Sequence, residues 1–445
     1  MALPYSDAVR LVKAEAQRHR LSQGEPCSIY SACDRVAAER ITSPISTPEF
    51  DTSAMDGFAL SSAATETASP ETPVTFEVTA TTTAGDWPCS AADGLRDAKD
   101  GVPPCVEIMT GAPFPTGQEW EQFDCSVPIE EVVVHEDRCP SSRRRYVSVC
   151  KPARRWQHRR FAGGDFTQGD HIVEAGECIQ PQHIMALASV GLREIPVLRR
   201  PRVAVFSTGS ELLSDGGQAH RFMIHDANGP YLTSILRQWG VEVDFRGVLR
   251  DEQAAMEDSI ARALNDGYDT IVTSGAVSAG RCDIIPGLVR GIGGRTVFHK
   301  VAVKPGHPIL FAMVPAPCGT GETGETAFFG LPGNAVAAAA CLRFFALPYL
   351  RTLQRQRPEE PQAAALQLSC AEAKPCNGAA SKVLTFQEGP DIFRTAISTQ
   401  SGQVWIIDDH SPGKTRPFLQ ANCWAHIPSG VSEMRAGSRV DIYPL

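Results

Sequence analysis

PRVAVFSTGSELL, residues 201–213, runs a short apolar segment straight into a loop of small residues. From there the chain keeps an α/β rhythm. A helix carries Leu232, Ile235, Leu236 and Trp239 on one face, VEVDF comes next, then a second helix, then TIVTS at 270–274 running into GAVSAG. Short apolar strands alternating with amphipathic helices predict a parallel sheet with right-handed crossovers. Ligands of such sheets sit beyond the carboxyl ends of the strands, where this chain places its glycines.

Outward from this core the pattern changes. Tyr5, Ala8, Val9 and Val12 recur at helical spacing, predicting a helix over 5–20, with a second helical stretch at 29–40. From about 61 to 157, β-branched runs (VTFEVTATTT, VEIMTG, IEEVVVH) between Ser/Thr/Pro-rich patches predict a strand-rich region with long loops. The basic run 141–160 reads as a solvated face. After about 356, KVLTF, VWIID and RVDIYPL suggest a small β domain.

At 445 residues the chain needs more than one core. A net charge of -9 argues against nucleic acid as the main partner, because phosphate binding needs a basic surface. The N-terminus has no apolar segment of signal-peptide type, and the longest apolar runs, such as VAAAACL at 336–342, are too short to span a membrane. A soluble, cytoplasmic protein is expected. The 14 cysteines are scattered without a CxxC pair and read as reduced thiols rather than a metal site.

Several loops carry chemistry. In STGSELL, Gly209 and its neighbouring N–H groups suit an anion nest at a helix N-terminus, with Glu211 in the same space; the plain alternative is a turn with Ser210 capping the helix. SGAVSAGRCD, 274–283, offers Ser274, Gly275, Ser278 and Gly280 for close backbone approach to phosphate, with Asp283 at its far side. In FHKVAVKPGHP, a strand would put Lys300 and Lys304 on one face, where two ammonium groups call for an anion between them. LPGNAVA makes Asn334 an N-cap after Pro332 and Gly333. SPISTPEFDTSAMDGFAL, 43–60, gathers Asp51, Ser53 and Asp56 around a small-residue turn.

Together, FDTSAMDGFAL, EIMTGAPFPTG, GGDFTQGD, RRPRVAVFSTGSELL, IHDANGPYL, TSGAVSAGRCD, KVAVKPGHP and LPGNAVA resemble, in order, the motifs of the molybdopterin molybdenumtransferase family, the MoeA type and the corresponding gephyrin domain. The resemblance implies a multidomain α/β plus β protein in four regions. These are a discontinuous helical, dimer-forming region (1–50 plus 158–200), a strand-rich insert (51–157), an α/β molybdopterin-binding domain (201–355) and a C-terminal β domain (356–445). It implies a homodimer whose site lies between the α/β domain of one subunit and the 50–170 motifs of the other. The reaction would take adenylylated molybdopterin, release AMP and insert molybdate, with Mg²⁺ as cofactor and a separate adenylyltransferase acting in trans.

By motif match, the resemblance puts Asp51, Thr110, Asp165, Glu211, Asp251 and Asp283 at catalytic positions. Asp226, Asp251 and Asp283 fall on the metal side. Ser53, Gly209, Ser274, Gly275, Ser278, Gly280, Lys300, Lys304, Pro332, Gly333, Asn334 and Arg394 fall on the substrate side. The chain departs from the family pattern at Gly164 and Ser210, where acids are lost, at Ala276, which adds a Cβ, at Arg281, which reverses a charge, and in PGNAVA and HSPGKTRPFLQANCW, where a proline and hydroxyls are lost. These departures admit a second reading, a non-catalytic paralogue that binds molybdopterin or a partner as a scaffold. A general nucleotide- or sugar-phosphate-binding α/β enzyme is a third.

Overall fold

The computed structural model describes residues 2–89, 101–115, 123–136, 144–213, 221–277, 284–317, 324–368, 383–409 and 411–445. Its centre is a six-stranded sheet of β1 (Arg202–Thr208), β2 (Glu242–Leu249), β3 (Thr270–Ser274), β4 (Arg295–His299), β5 (Leu310–Pro315) and β6 (Glu325–Leu331), in the order β2-β1-β3-β6-β5-β4. The first four strands are parallel. The β5 and β4 pairings are antiparallel, so the sheet is mixed rather than wholly parallel.

The chain leaves β1 for β2 on one side through helix Asn228–Gln238, then returns through helix Gln253–Asn265 to β3 on the other. That reversal opens a crevice between the ends of β1 and β3. Alternate residues of each strand enter opposite cores: Val203, Val205, Val272 and Phe329 pack into one, Ala204, Phe206, Ile271 and Phe328 into the other. Continuous apolar runs are what two covered faces require. Residues Ala335–Leu353 form one helical stretch, with a π-helical turn at Leu342–Ala346. It is long and apolar enough to cross a membrane, but 83% of its most apolar window is buried in the core.

The N-terminal helix forms over Tyr5–Arg18 and lays Ala8, Val12 and Ala16 on the α/β core. Glu15, nearly buried, locks it there through two 3.0 Å hydrogen bonds from Arg295 on β4. The helix expected over 29–40 does not form. Only a 3-10 turn, Ile29–Ser31, is present, because the backbone beyond it bonds to other segments: the Asp34 and Ala37 amides donate to Ile179 and Glu177 carbonyls. Tertiary partners override helix propensity there.

The insert forms the expected sheet, ordered Cys125–Pro128, Gly57–Leu60, Pro104–Ile108, Val74–Thr82, Arg145–Val149, Val132–Glu136. Its basic run is not simply solvated, since Arg144 pairs with Glu77 at 3.0 Å and Arg145 with Glu107 at 2.7 Å. The C-terminal strands close a small barrel: Asp391–Ser398, Gln403–Ile406, Gln362–Gln367, Arg439–Pro444 and Cys423–Ile427, which pairs back to the first. The short strand Val303–Lys304 also pairs with Asp391–Ser398, so the α/β segment is stitched to the barrel.

Candidate functional site

Loops at the carboxyl ends of β1, β2, β3 and β6 surround a cavity of about 510 Å³. Gly209 extends β1 with φ +148, and a Cβ there would lie 2.6 Å from a Glu211 carboxylate oxygen. No helix starts at STGSELL. The chain turns through Ser210 and Glu211, Leu212 bridges to Ile224, and the next helix begins at Asn228. Ser210 therefore does not cap a helix. It binds the β2 loop reciprocally, its amide donating to Asp251 Oδ2 and its hydroxyl accepting from the Asp251 amide, both at 3.1 Å.

Beyond β3, Gly275 at φ +105 lets the chain pass against β1, where a Cβ would meet Thr208 O at 2.5 Å. Ala276 takes φ +51, a left-handed conformation that L-residues avoid. Asn228 ties three loops together: its Nδ2 donates to Ser274 Oγ at 2.6 Å and to Gly333 O at 2.8 Å. Asn334 occupies the N-cap position of the next helix, but its side chain makes no capping bond. Asp226 instead caps the Asn228 helix, its Oδ1 accepting from the Asn228 and Gly229 amides at 3.0 Å.

The electrostatics of this cavity are acidic. Glu211, Asp226 and Asp251 line it, and no lysine or arginine does among the described residues. Asp226 Oδ2 is buried and accepts no hydrogen bond. An orphaned buried carboxylate oxygen is costly unless a cation meets it. Among the described residues no three His, Cys, Asp or Glu side chains cluster closely enough to cage a metal. A Mg²⁺ ion held by one or two carboxylates plus a ligand's phosphates would need no such cage.

The cavity thus brings together Gly209, Glu211, Asp226, Asp251, Gly275, Gly333 and Asn334 of the residues singled out from sequence, with Ser274 and Pro332 alongside. Ser278, Gly280 and Asp283 lie outside the described residues. Lys300 and Lys304 do not share a strand face. Lys300 sits in a left-handed turn at φ 71, and only Val303–Lys304 is extended, so the alternation assumed between them is broken. Lys304 Nζ donates to Gln387 at 3.2 Å. Neither lysine lines the cavity. Arg394 is nearly buried in the barrel strand, and no carboxylate pairs with it among the described residues; burial alone pushes its guanidinium down to about 10.

The 50–170 motifs form a separate cluster. Asp51 has both oxygens engaged, Oδ2 by Arg159 Nε at 2.7 Å and Oδ1 by the Ala162 amide at 2.8 Å. Ser53 is buried, its hydroxyl donating to Met55 O at 2.7 Å. Both side chains knit the loops together. The carboxylate beside Thr110 is Asp56, which accepts the Thr110 amide at 2.6 Å. The Thr110 amide, then its hydroxyl, hold the exposed Asp56 below the usual carboxylate range. Asp165 is exposed two residues beyond Gly163, with its amide bonded to Thr47 O at 2.9 Å.

Sequence reading passed over Asp56 as a site residue, although it stands in the same quoted turn. It also missed Asn228, Thr208, Gly413 and Thr415, all of which line the cavity. Gly413 and Thr415 come from the C-terminal stretch that departs from the family pattern. No periodicity could have announced them.

Two family models match the chain: the MoeA N-terminal region, domains I and II, over residues 3–191, and a probable molybdopterin binding domain over 204–352. A molybdopterin molybdenumtransferase of Synechococcus elongatus is 31% identical over 448 residues, covering 100% of both chains. The chain belongs to the molybdopterin molybdenumtransferase family. A Haemophilus influenzae member is 29% identical over 95% of this chain and 94% of its own. Two crystal structures of the molybdopterin biosynthesis MoeA protein from Pyrococcus horikoshii superpose with TM-scores of 0.74 and 0.75, at 25% and 22% identity. The first covers 100% of this chain and 99% of that one, and the second covers both fully.

Proposed function

We propose that this MoeA-family chain is a molybdopterin molybdenumtransferase that takes adenylylated molybdopterin, releases AMP and inserts molybdate into the dithiolene. The observation that carries this reading is the trio Glu211, Asp226 and Asp251 lining the cavity at the reversal between β1 and β3. An acidic cavity repels a diphosphate unless a divalent cation bridges the two. Asp226 and Asp251, with Asp283, would hold Mg²⁺; when bound, it neutralises charge developing on phosphate oxygens.

The chain's own groups do the rest. Gly209 and Gly275 let the β1 and β3 loops lie close to Glu211 and Thr208, with their own amides donating to Leu249 O and Leu331 O, so an anion would be met by N–H groups elsewhere in the cavity loops. Asn228 holds Ser274 and the Gly333 loop in fixed register. Asp56, kept ionised by Thr110, offers a carboxylate acceptor for a reacting water or hydroxyl. In this reading Asp56, Thr110 and Asp165 of one protomer complete the cavity of the other, Lys300, Lys304 and Arg394 serve the anionic substrates, and a separate cytoplasmic adenylyltransferase supplies the adenylylated pterin.

The deciding experiment mixes the purified protein with adenylylated molybdopterin, Mg²⁺ and molybdate, and monitors AMP release together with transfer of active cofactor to an apo molybdoenzyme. Both products appearing together support the transferase. Tight binding without AMP overturns it in favour of the non-catalytic scaffold. Light scattering at micromolar concentration tests the homodimer, and a monomeric mass sinks the cross-protomer site.

A further inference from the structure

Residues 154–158 form a turn leading into the short strand Arg159–Arg160, and two residues of the turn hold backbone conformations their side chains do not favour. Trp156 and His158 have φ of 67° and 54°. Surrounding bonds impose this: the Trp156 amide donates to Asp124 O at 3.1 Å, the Ser126 amide to Gln157 O at 2.9 Å, and the Ala54 amide to His158 O at 2.8 Å. Strain that the surroundings over-determine tends to mark functional surfaces.

The conformation displays rings instead of burying them. Trp156 is 39% exposed and Phe161 46%, their centroids 5.4 Å apart at an interplanar angle of 69°. Beneath them lies Arg159, whose guanidinium is 5.1 Å from the Trp156 ring, 5.8 Å from Phe161 and 4.7 Å from Phe114, and is fixed by Asp51. Arg155 lies 4.5 Å over Trp156 with its side chain 70% exposed, and makes a 3.8 Å contact to Asp124. Arg160 is exposed next to Phe161. The Ala54–His158 bond connects this loop to the turn that carries Asp56.

The two partly exposed rings meet at 69° in a corner backed by Arg159 and rimmed by Arg155 and Arg160, which suits a flat ring that carries negative charge, stacked on Phe161 and edge-on to Trp156, whose face Arg155 covers. We propose that Trp156 and Phe161 form a stacking platform for the planar nitrogen heterocycle of a phosphorylated substrate, with Arg155 and Arg160 receiving its phosphate. This rests on the transferase reading for the identity of the substrate. It does not need turnover to be tested. A small ligand fits the observations better than a protein partner, because the rings are set in a rigid frame with cations at its edge and not in a broad apolar face.

The test is titration of the full chain, by tryptophan fluorescence and calorimetry, with three probes: AMP (ring and phosphate), neopterin (a pterin ring without phosphate) and ribose 5-phosphate (phosphate without a ring). Trp156→Ala and Phe161→Leu are expected to weaken ring-bearing probes on the order of tenfold each and to leave ribose 5-phosphate unchanged. Trp156→Phe should restore most of the affinity. Arg155→Ala should weaken AMP and not neopterin. Whether AMP or neopterin suffers more identifies the purine or the pterin half as the stacked ring.

Unchanged affinity of Phe161→Leu for both AMP and neopterin overturns the platform, as does a wild-type chain that binds neither. So does a change in molecular mass of the variants with ring binding intact, which would make the patch an interface between copies. Ring-selective loss in a protein that releases no AMP keeps the platform and sinks the transferase. Normal AMP release with unchanged KM in Phe161→Leu does the reverse.

Discussion

The Thr110 amide donates to Asp56 at 2.6 Å, joining a turn near residue 55 to a loop more than fifty residues later. Asp51, five residues earlier, spends both oxygens on Arg159 and Ala162. Of these two, Asp56 is the one left with an accessible carboxylate. Asp56→Asn should therefore lower kcat/KM by at least about a hundredfold, in the range of general acid–base groups, with little change in thermal midpoint. Asp51→Asn should do the opposite, loosening the fold by roughly 1–3 kcal/mol through its lost charge-assisted bonds. Equal activity losses with unchanged melting in both variants would refute this division.

Asp226 has one oxygen in a helix cap and one unpaired. Asp226→Asn keeps the capping oxygen, so stability measured by urea should change by less than about 1 kcal/mol. The Mg²⁺ concentration for half-maximal AMP release should rise at least about tenfold, because a cavity-lining carboxylate loses its charge. Chelation with EDTA should stop AMP release, and added Mg²⁺ should restore it. Activity that persists in excess chelator would sink the metal assignment.

The crossing of the β1 and β3 loops leaves no room for a methyl group on Gly275, where a Cβ would sit 2.5 Å from Thr208 O. Gly275→Ala should cost roughly 1–3 kcal/mol and displace the loop, lowering activity as well. Ala276→Gly should be neutral or stabilising by up to about 1 kcal/mol, since glycine accepts φ +51 without strain. Urea midpoints of the two variants should move in opposite directions. A shared direction would contradict the geometry.

Glu15 carries the pH dependence of the N-terminal helix. Burial raises its pKa, but the Arg295 hydrogen bonds and charge outweigh that, and the net shift is downward. A depressed carboxylate stabilises the fold above its unfolded pKa, and the contribution is lost as pH falls through the folded one. The melting temperature should therefore fall as pH drops below about 4.5, and Glu15→Gln should flatten that part of the profile. At neutral pH the same variant should lose roughly 1–3 kcal/mol. A wild-type profile that matches the variant's would remove Glu15 from this role.

The α/β core was legible because its signal is local. The run Val203 to Phe206 and TIVTS at 270–274 are apolar on both faces, and both are strands in the structure. The helix bearing Leu232, Ile235 and Leu236 repeats at helical spacing and buries that face. The antiparallel edge, β5 and β4, was not legible, because strand direction depends on which neighbour a segment meets. Residues 29–40 misled for a related reason: their side chains suit a helix, while their backbone partners lie at 177–198.

Composition and motif order, read from the sequence alone, determined the family, the α/β alternation, the glycines at the strand ends and most of the acids near them. Tertiary structure decided which of those acids remain free. Asp51 and Asp56 share one turn and one chemistry, and only the arrival of Arg159 at one and Thr110 at the other separates a clamp from an available carboxylate. It likewise parted Lys300 from Lys304 and brought Gly413 and Thr415 to the cavity. Local propensity acts over a few residues, whereas the charge state and reach of a side chain depend on groups that the chain supplies from far away.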